Sequence, residues 1–293
     1  MTEKWKGQTR GGVLGYLFFV YLIQFLGVRV AYIFLSFVVV YFIPFAPKAT
    51  KSTWQYSRKI LKNGYIKSIG FLFLNYYRLG QILIDKVAIG AGKKDQYHFE
   101  FENYTGFLDL LDSDMGVIMI GAHVGNWEIG VPFFDEYAKK INIVMYDNEH
   151  ERIKAILEKN QTTQTFKVIA VNKDSFNHVF EISKALNNKE YICFQGDRYV
   201  SEEKVLESTL LNKKADFPLG PFLLASKMKT PVVFYFAMRE PGMTYRFYFY
   251  QADLSYDSKE GMQILLNQYT SILGSILQKY PEQWFNYYSF WKN

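Results

Sequence analysis

From Val13 to Phe45 the chain is apolar almost without interruption. Only Gln24, Arg29 and a scatter of Gly, Ser and Tyr break the run, which splits at Gly27-Val28-Arg29 and stops at Pro44. Each half falls short of the roughly 20 residues that a spanning helix needs. As one span, the run would set Arg29 near the bilayer centre, where a charge is expensive. Basic residues flank it on both sides, with Lys4, Lys6 and Arg10 before and Lys48, Lys51, Arg58 and Lys59 after, so there is no positive-inside asymmetry. The pattern predicts a helix or bent helical pair lying in, or dipping into, the inner leaflet, with both ends cytoplasmic. Arg29 would snorkel to phosphates and the tyrosines would sit at the interface. The run is longer than the apolar part of a secretory signal, and no small-residue cleavage pattern follows it. A buried pair of core helices is the alternative.

Trp54 to Asp85 reads as helical, with apolar residues at three- and four-residue spacing and lysines on the other face, docked on the domain that follows. Gly90-Ala91-Gly92-Lys93-Lys94 is the turn before an alternating strand, His98 to Glu102. A helix around Gly106 to Leu111 leads to Val117-Ile118-Met119-Ile120, which has the composition of a buried strand. After a loop and a second helix come strand Ile141 to Tyr146, helix Glu149 to Lys159, strand Phe166 to Val171, helix Ser175 to Asn187 and strand Glu190 to Gln195. A hairpin at Val205 to Lys213, strands Val232 to Met238 and Arg246 to Ala252, helix Lys259 to Lys279 and an aromatic tail, Trp284 to Trp291, complete the chain. The tail reads as packing with partial interfacial exposure. This alternation predicts an α/β fold with a central mixed, largely parallel sheet flanked by helices, and a ligand site at the carboxyl ends of the strands. Residues 1–52 form the membrane-attachment helix region. Residues 53–293 form the α/β domain, with an N-terminal helical part at 53–92.

A formal charge of +6 favours anionic partners: phospholipid head groups, phosphorylated glycolipids or an acidic carrier protein. Nucleic acid is a poor fit, because the lysines are dispersed and no basic stripe or nucleic-acid motif is present. The single cysteine, Cys193, excludes an internal disulfide and a cysteine-based zinc site, and it reads as a buried strand residue. His150 lies among Asp147, Glu149 and Glu151, which reads as an acid-rich helix start rather than a metal site. His98 and His178 read as surface or packing residues.

The chemistry concentrates where the strand Val117 to Ile120 runs into Gly121-Ala122-His123-Val124-Gly125-Asn126-Trp127-Glu128. Residues five apart on a continuous helix diverge by about 140°. His123 and Glu128 therefore meet only if the histidine is in the loop and the glutamate in the helix. Gly121 and Gly125 permit that turn and leave backbone N–H groups, with Asn126, to face a developing oxyanion. A histidine held by a carboxylate is a general base. With no serine or cysteine nucleophile adjoining, the pair suits direct attack by an acceptor hydroxyl rather than a covalent enzyme intermediate. Gln195-Gly196-Asp197-Arg198 follows another strand, and there Arg198 could grip a phosphate or carboxylate while Asp197 orients it. A local ion pair is the other reading of those two residues.

The segment Gly121 to Glu128 resembles the HX4E block of the lysophospholipid acyltransferase superfamily, specifically its lipid A late (secondary) acyltransferase branch. The resemblance extends through Gln195-Gly196-Asp197-Arg198, Phe217-Pro218-Leu219-Gly220-Pro221 with Ala225, Thr230-Pro231-Val232-Val233 and Pro281-Glu282-Gln283-Trp284-Phe285. It implies an inner-membrane enzyme with its catalytic domain on the cytoplasmic face. Such an enzyme takes a fatty acyl group from acyl carrier protein, with acyl-CoA as the other possible donor, and acylates a hydroxyl of a glycolipid precursor. No bound cofactor or metal is implied. His123 and Glu128 would be catalytic, and Asn126, Gln195, Gly196, Asp197, Arg198 and Lys159 would bind substrate. Two departures bear on the acceptor: Gln195 to Arg198 replaces an acidic-rich motif, and Lys159 stands near where the branch has an arginine. An acceptor that is an aminolipid, a hydroxylated lipid or a pigment alcohol is the alternative, and a non-catalytic lipid-binding protein is a further one.

Overall fold

In a computed structural model of the chain, describing residues 12–130, 139–146, 166–171, 176–199, 204–254 and 260–291, the apolar run folds as two helices. α1 (Gly12–Phe25) and α2 (Val28–Phe45) meet at Gly27, whose φ of 87° is a conformation that a side chain would strain. α3 (Pro47–Gln55) tightens into a π-helical turn at Tyr56–Ile60, and α4 (Tyr65–Gly90) follows. These helices, with Tyr280–Phe290, form one compact unit; Phe99–Lys279 and the last residues form the other. The division between the units falls near residue 98, and α4 packs against α2 within the first. Val28, Ala31, Tyr32, Leu35 and Val39 make the buried stripe of α2 at helical spacing. Gly80 of α4 permits the close approach: a Cβ there would lie 2.3 Å from Leu35 Cδ1.

The outward face of α2 carries Ile33, Phe34, Phe37, Val40, Tyr41 and Phe45, all exposed, and Arg29 is exposed as well. α2 is long and apolar enough to cross a membrane, since its 18 residues rise about 27 Å. Inside the unit, Tyr32 and Tyr97 both donate to Oδ1 of the fully buried Asp85. The buried Asn75 Nδ2 donates to the carbonyls of Glu282 and Trp284, at 2.9 and 3.1 Å, and ties the aromatic tail to α4. Trp284, Phe285 and Phe290 are buried in the same unit. The tail therefore acts mainly as packing.

The second unit holds the sheet. β1 (His98–Glu102), α5 (Tyr104–Asp112), β2 (Val117–Gly121), β3 (Ile141–Tyr146), β4 (Phe166–Val171), α6 (Asn177–Asn187) and β5 (Tyr191–Gln195) follow in order. After them come the hairpin β6 (Val205–Leu210) and β7 (Lys213–Pro218), α7 (Leu219–Lys227), β8 (Val232–Glu240), β9 (Thr244–Gln251) and α8 (Gly261–Lys279). Among the described residues seven strands form one sheet, in the order β1-β9-β8-β2-β5-β3-β4. β8, β2, β5, β3 and β4 are mutually parallel, and β9 runs antiparallel to β8. The expected mixed, largely parallel α/β sheet is present. β2 is buried at every position, which explains its unbroken apolar composition. The β6–β7 hairpin turns through Leu211 and Asn212, both at positive φ, as a two-residue turn of this twist requires. Helix Glu149 to Lys159, with His150 and Lys159, lies outside the described residues.

The chain leaving β2 crosses beyond β5 to β3, whereas the chain leaving β5 returns to β8 on the other side of β2. The carboxyl ends of β2 and β5 therefore frame a topological switch point, where open α/β sheets place their ligands.

Candidate active site

β2 and β5 pair in parallel with Gly121 opposite Gln195. Two residues beyond that pair are His123 on one strand and Asp197 on the other. The register alone thus brings a histidine and an aspartate together. His123 Nδ1 lies 2.8 Å from Asp197 Oδ1, and the His123 backbone N–H is 3.1 and 3.0 Å from the two carboxylate oxygens. The Asp197 side chain is 0% exposed and that of His123 is 22% exposed, so the carboxylate is sealed in while the imidazole remains reachable.

Burial alone would push the Asp197 carboxyl up. The His123 ring, its hydrogen bonds and the neighbouring Arg198 outweigh that effect and hold the carboxyl below its ordinary value. An ionised carboxylate only accepts hydrogen bonds, so Nδ1 carries the ring proton and the lone pair of the neutral imidazole is on Nε2. The arrangement can accept a proton at Nε2 and stabilise the imidazolium that results.

His123 occupies the loop, as its spacing from Glu128 requires. Glu128 lies in a short 3-10 turn, Trp127–Gly130, partly exposed. The ring nitrogen Nδ1 of His123 is met by Asp197. The reason is topological: the β2–β5 register delivers Asp197 to the ring.

The turn between them is fixed by backbone geometry. Gly125 has φ 61° and bridges to Ala237 on β8; a Cβ there would lie 2.1 Å from the Ala237 carbonyl oxygen. The Asn126 N–H donates to the same carbonyl at 2.8 Å, and the buried Asn126 Nδ2 lies 3.4 Å from Tyr245 Oη on β9. Asn126 therefore fastens the loop to β8 and β9, and its N–H, like that of His123, is engaged within the protein rather than held open for an oxyanion. Tyr235 Oη donates to the Trp127 carbonyl at 3.1 Å and holds the 3-10 turn; burial raises this hydroxyl well above its ordinary pKa.

Beneath the site, the Gly121 carbonyl accepts from the Gly196 N–H and from Tyr269 Oη, both at 2.9 Å. Gly196 has no room for a side chain, since a Cβ would lie 2.8 Å from Ile120 and 3.0 Å from the Tyr269 ring. Gln195 Oε1 is buried beside Gly121 without a hydrogen-bond partner. Arg198 follows Asp197 and is partly exposed. Of the expected substrate-binding residues, Gln195, Gly196, Asp197 and Arg198 gather with His123 at the ends of β2 and β5. Tyr235, Tyr245 and Tyr269 were not singled out by sequence, where they look like ordinary strand and helix aromatics.

His98 is exposed at the start of β1, and Nδ1 of His178 on α6 is buried without a hydrogen-bond partner. Burial pushes the Cys193 thiol, in mid-β5, up to about 12, which leaves it a poor nucleophile.

No curated protein matches the chain. A family model for bacterial lipid A biosynthesis acyltransferases matches residues 74–293, a stretch that includes the whole sheet, His123, Glu128 and Asp197. With the α/β sheet and the histidine–carboxylate site at its switch point, that match identifies the chain as a member of the bacterial lipid A biosynthesis acyltransferase family.

Proposed function

We propose that this acyltransferase moves a fatty acyl group from the thioester of acyl carrier protein to a hydroxyl of a lipid A-type glycolipid precursor. It works on the cytoplasmic face of the inner membrane, to which α1 and α2 attach it. The observation that carries this reading is the 2.8 Å contact between His123 Nδ1 and the buried Asp197 carboxylate, beside a partly exposed imidazole at the switch point of the sheet.

Nε2 of His123 takes the proton from the acceptor hydroxyl as its oxygen attacks the thioester carbonyl carbon. The tetrahedral intermediate then collapses, the carbon–sulfur bond breaks, and the imidazolium returns the proton to the departing thiolate. No covalent acyl-enzyme forms. Asp197 orients the ring and stabilises its protonated form, as carboxylate partners of catalytic histidines do. Glu128 supplies a second carboxylate to the site. Arg198 binds an anionic group of the acceptor, a task suited to its fork of donors. The positive net charge suits an acidic carrier protein.

The test is acyl transfer by the purified full-length protein in detergent, with acyl carrier protein and coenzyme A thioesters compared as donors to a lipid A precursor. His123→Ala should abolish transfer while the protein stays folded. Wild-type turnover in that variant would refute the assignment. Transfer to an aminolipid but not to the glycolipid would keep the chemistry and replace the acceptor.

A further inference from the structure

Two large aromatics stand out on the surface of the sheet-bearing unit. Phe176 is 79% exposed and Phe180 is 74% exposed. Phe176 is the residue that caps the start of α6 and Phe180 lies in its first turn, four residues on. Two phenylalanines left this exposed within four residues of each other are the kind of apolar surface that marks a contact.

The topology gives the location of that patch. β4 is parallel to β3, β3 to β5 and β5 to β2, so all four end at the edge of the sheet that carries His123. α6 runs from the carboxyl end of β4 back to the start of β5, so its first turn lies at the catalytic edge. β4 is three strands from β2, about 14 Å at ordinary strand spacing, and α6 leads back toward β5, the neighbour of β2. Tyr199, two residues past Asp197, is partly exposed at the same edge. Met115, another exposed apolar residue, precedes β2 and lies at the opposite edge.

We propose that Phe176 and Phe180 insert into the lipid surface and form a membrane contact at the catalytic edge, separate from α1 and α2. The inference rests on the functional reading in one respect: a lipid acceptor reaches His123 most directly if this edge faces the bilayer. Aromatic side chains at the tip of a helix suit the boundary between head groups and acyl chains. The first turn of α6 would then hold the mouth of the site against the membrane while the acceptor's head group enters.

The experiment uses the full-length protein in a Cys193→Ser background. Single cysteines at Phe176→Cys, Phe180→Cys and, as a control, Met115→Cys carry an environment-sensitive fluorophore. The protein is reconstituted with vesicles of phosphatidylethanolamine and phosphatidylglycerol containing nitroxide-labelled lipid. Labels at 176 and 180 should shift to the blue and be quenched, and the label at 115 should not. Equal behaviour at all three sites, or no quenching at 176 and 180, overturns the proposal. A spectral change at 176 that needs acyl carrier protein also overturns it, and would assign the patch to a protein partner. A companion variant, Phe176→Ser with Phe180→Ser, should raise KM for a vesicle-borne acceptor by about tenfold, the order expected for losing two partly inserted rings, and leave KM for a detergent-dispersed acceptor unchanged. Quenching needs no turnover, so an inactive protein whose labels are still quenched fails the functional reading and leaves this one standing.

Discussion

Asp197→Asn is the substitution that tests the carboxylate held against His123 Nδ1. It keeps the shape of the side chain but removes the charge and turns one acceptor oxygen into a donor NH2. In the wild type, three donor–acceptor distances of 2.8 to 3.1 Å link this carboxylate to His123. An amide oxygen in the Oδ1 position can still accept from both the ring and the backbone N–H, but its NH2 then takes the Oδ2 position, where it faces the backbone N–H and can accept nothing. A buried hydrogen bond to a charged group is worth about 1.5–3 kcal/mol, so the folded state should lose about that much. Catalysis should suffer more. Without the carboxylate the ring loses its fixed tautomer and its support for the imidazolium, and kcat should fall by about 10²–10⁴.

The assay is initial-rate acyl transfer beside thermal unfolding of the same preparation, which separates a folded, slow enzyme from an unfolded one. Stability against pH gives an independent readout. The Asp197 carboxyl is held below its ordinary value in the folded state, so its contribution is complete above the unfolded value of about 4 and is lost as pH falls below it. The stability gap between wild type and Asp197→Asn should therefore be constant near neutrality and shrink in acid. Wild-type turnover in Asp197→Asn, together with inactivity in Glu128→Gln, would refute the reasoning and return the orienting role to Glu128.

Three further outcomes follow from the same geometry. Gly125→Ala places a Cβ at φ 61° against the Ala237 carbonyl and should destabilise the protein by about 2–3 kcal/mol, read as a fall in Tm with loss of activity. Tyr269→Phe removes the 2.9 Å bond to the Gly121 carbonyl but leaves that oxygen its Gly196 donor; it should lower stability by about 1 kcal/mol in thermal unfolding. Because its surroundings push the Cys193 thiol up to about 12, a thiol reagent at pH 8 should modify the native protein far more slowly than the denatured chain; equal rates would contradict that raised value.

Local signals made part of this molecule legible in advance. The unbroken apolar run of β2, the glycine-flanked His123 and the loop placement demanded by its distance from Glu128 all follow from short stretches of sequence. So does the α1–α2 break, because a residue at φ 87° is nearly always glycine. The partnership of His123 with Asp197 was not legible, because it depends on the register of two strands more than 70 residues apart. Both strands and the residues just beyond them are visible in the sequence, but a single sequence carries no signal for pairing order. The grouping of α4 with α1 and α2 was hidden for the same reason. A helix with one apolar face announces that it packs, not what it packs on. The contacts of Asn126 with Tyr245 and Ala237 are hidden from its setting among glycines, since they depend on the approach of β8 and β9.

The central claim is that His123 drives acyl transfer to a lipid acceptor. Its most direct test is mass spectrometry of the glycolipid from a strain lacking this chain, complemented with either the wild type or His123→Ala. The account predicts a glycolipid short of one fatty acyl group in the deletion, restored by the wild type and not by His123→Ala. An unchanged acyl count in the deletion strain, or full restoration by His123→Ala, would contradict it.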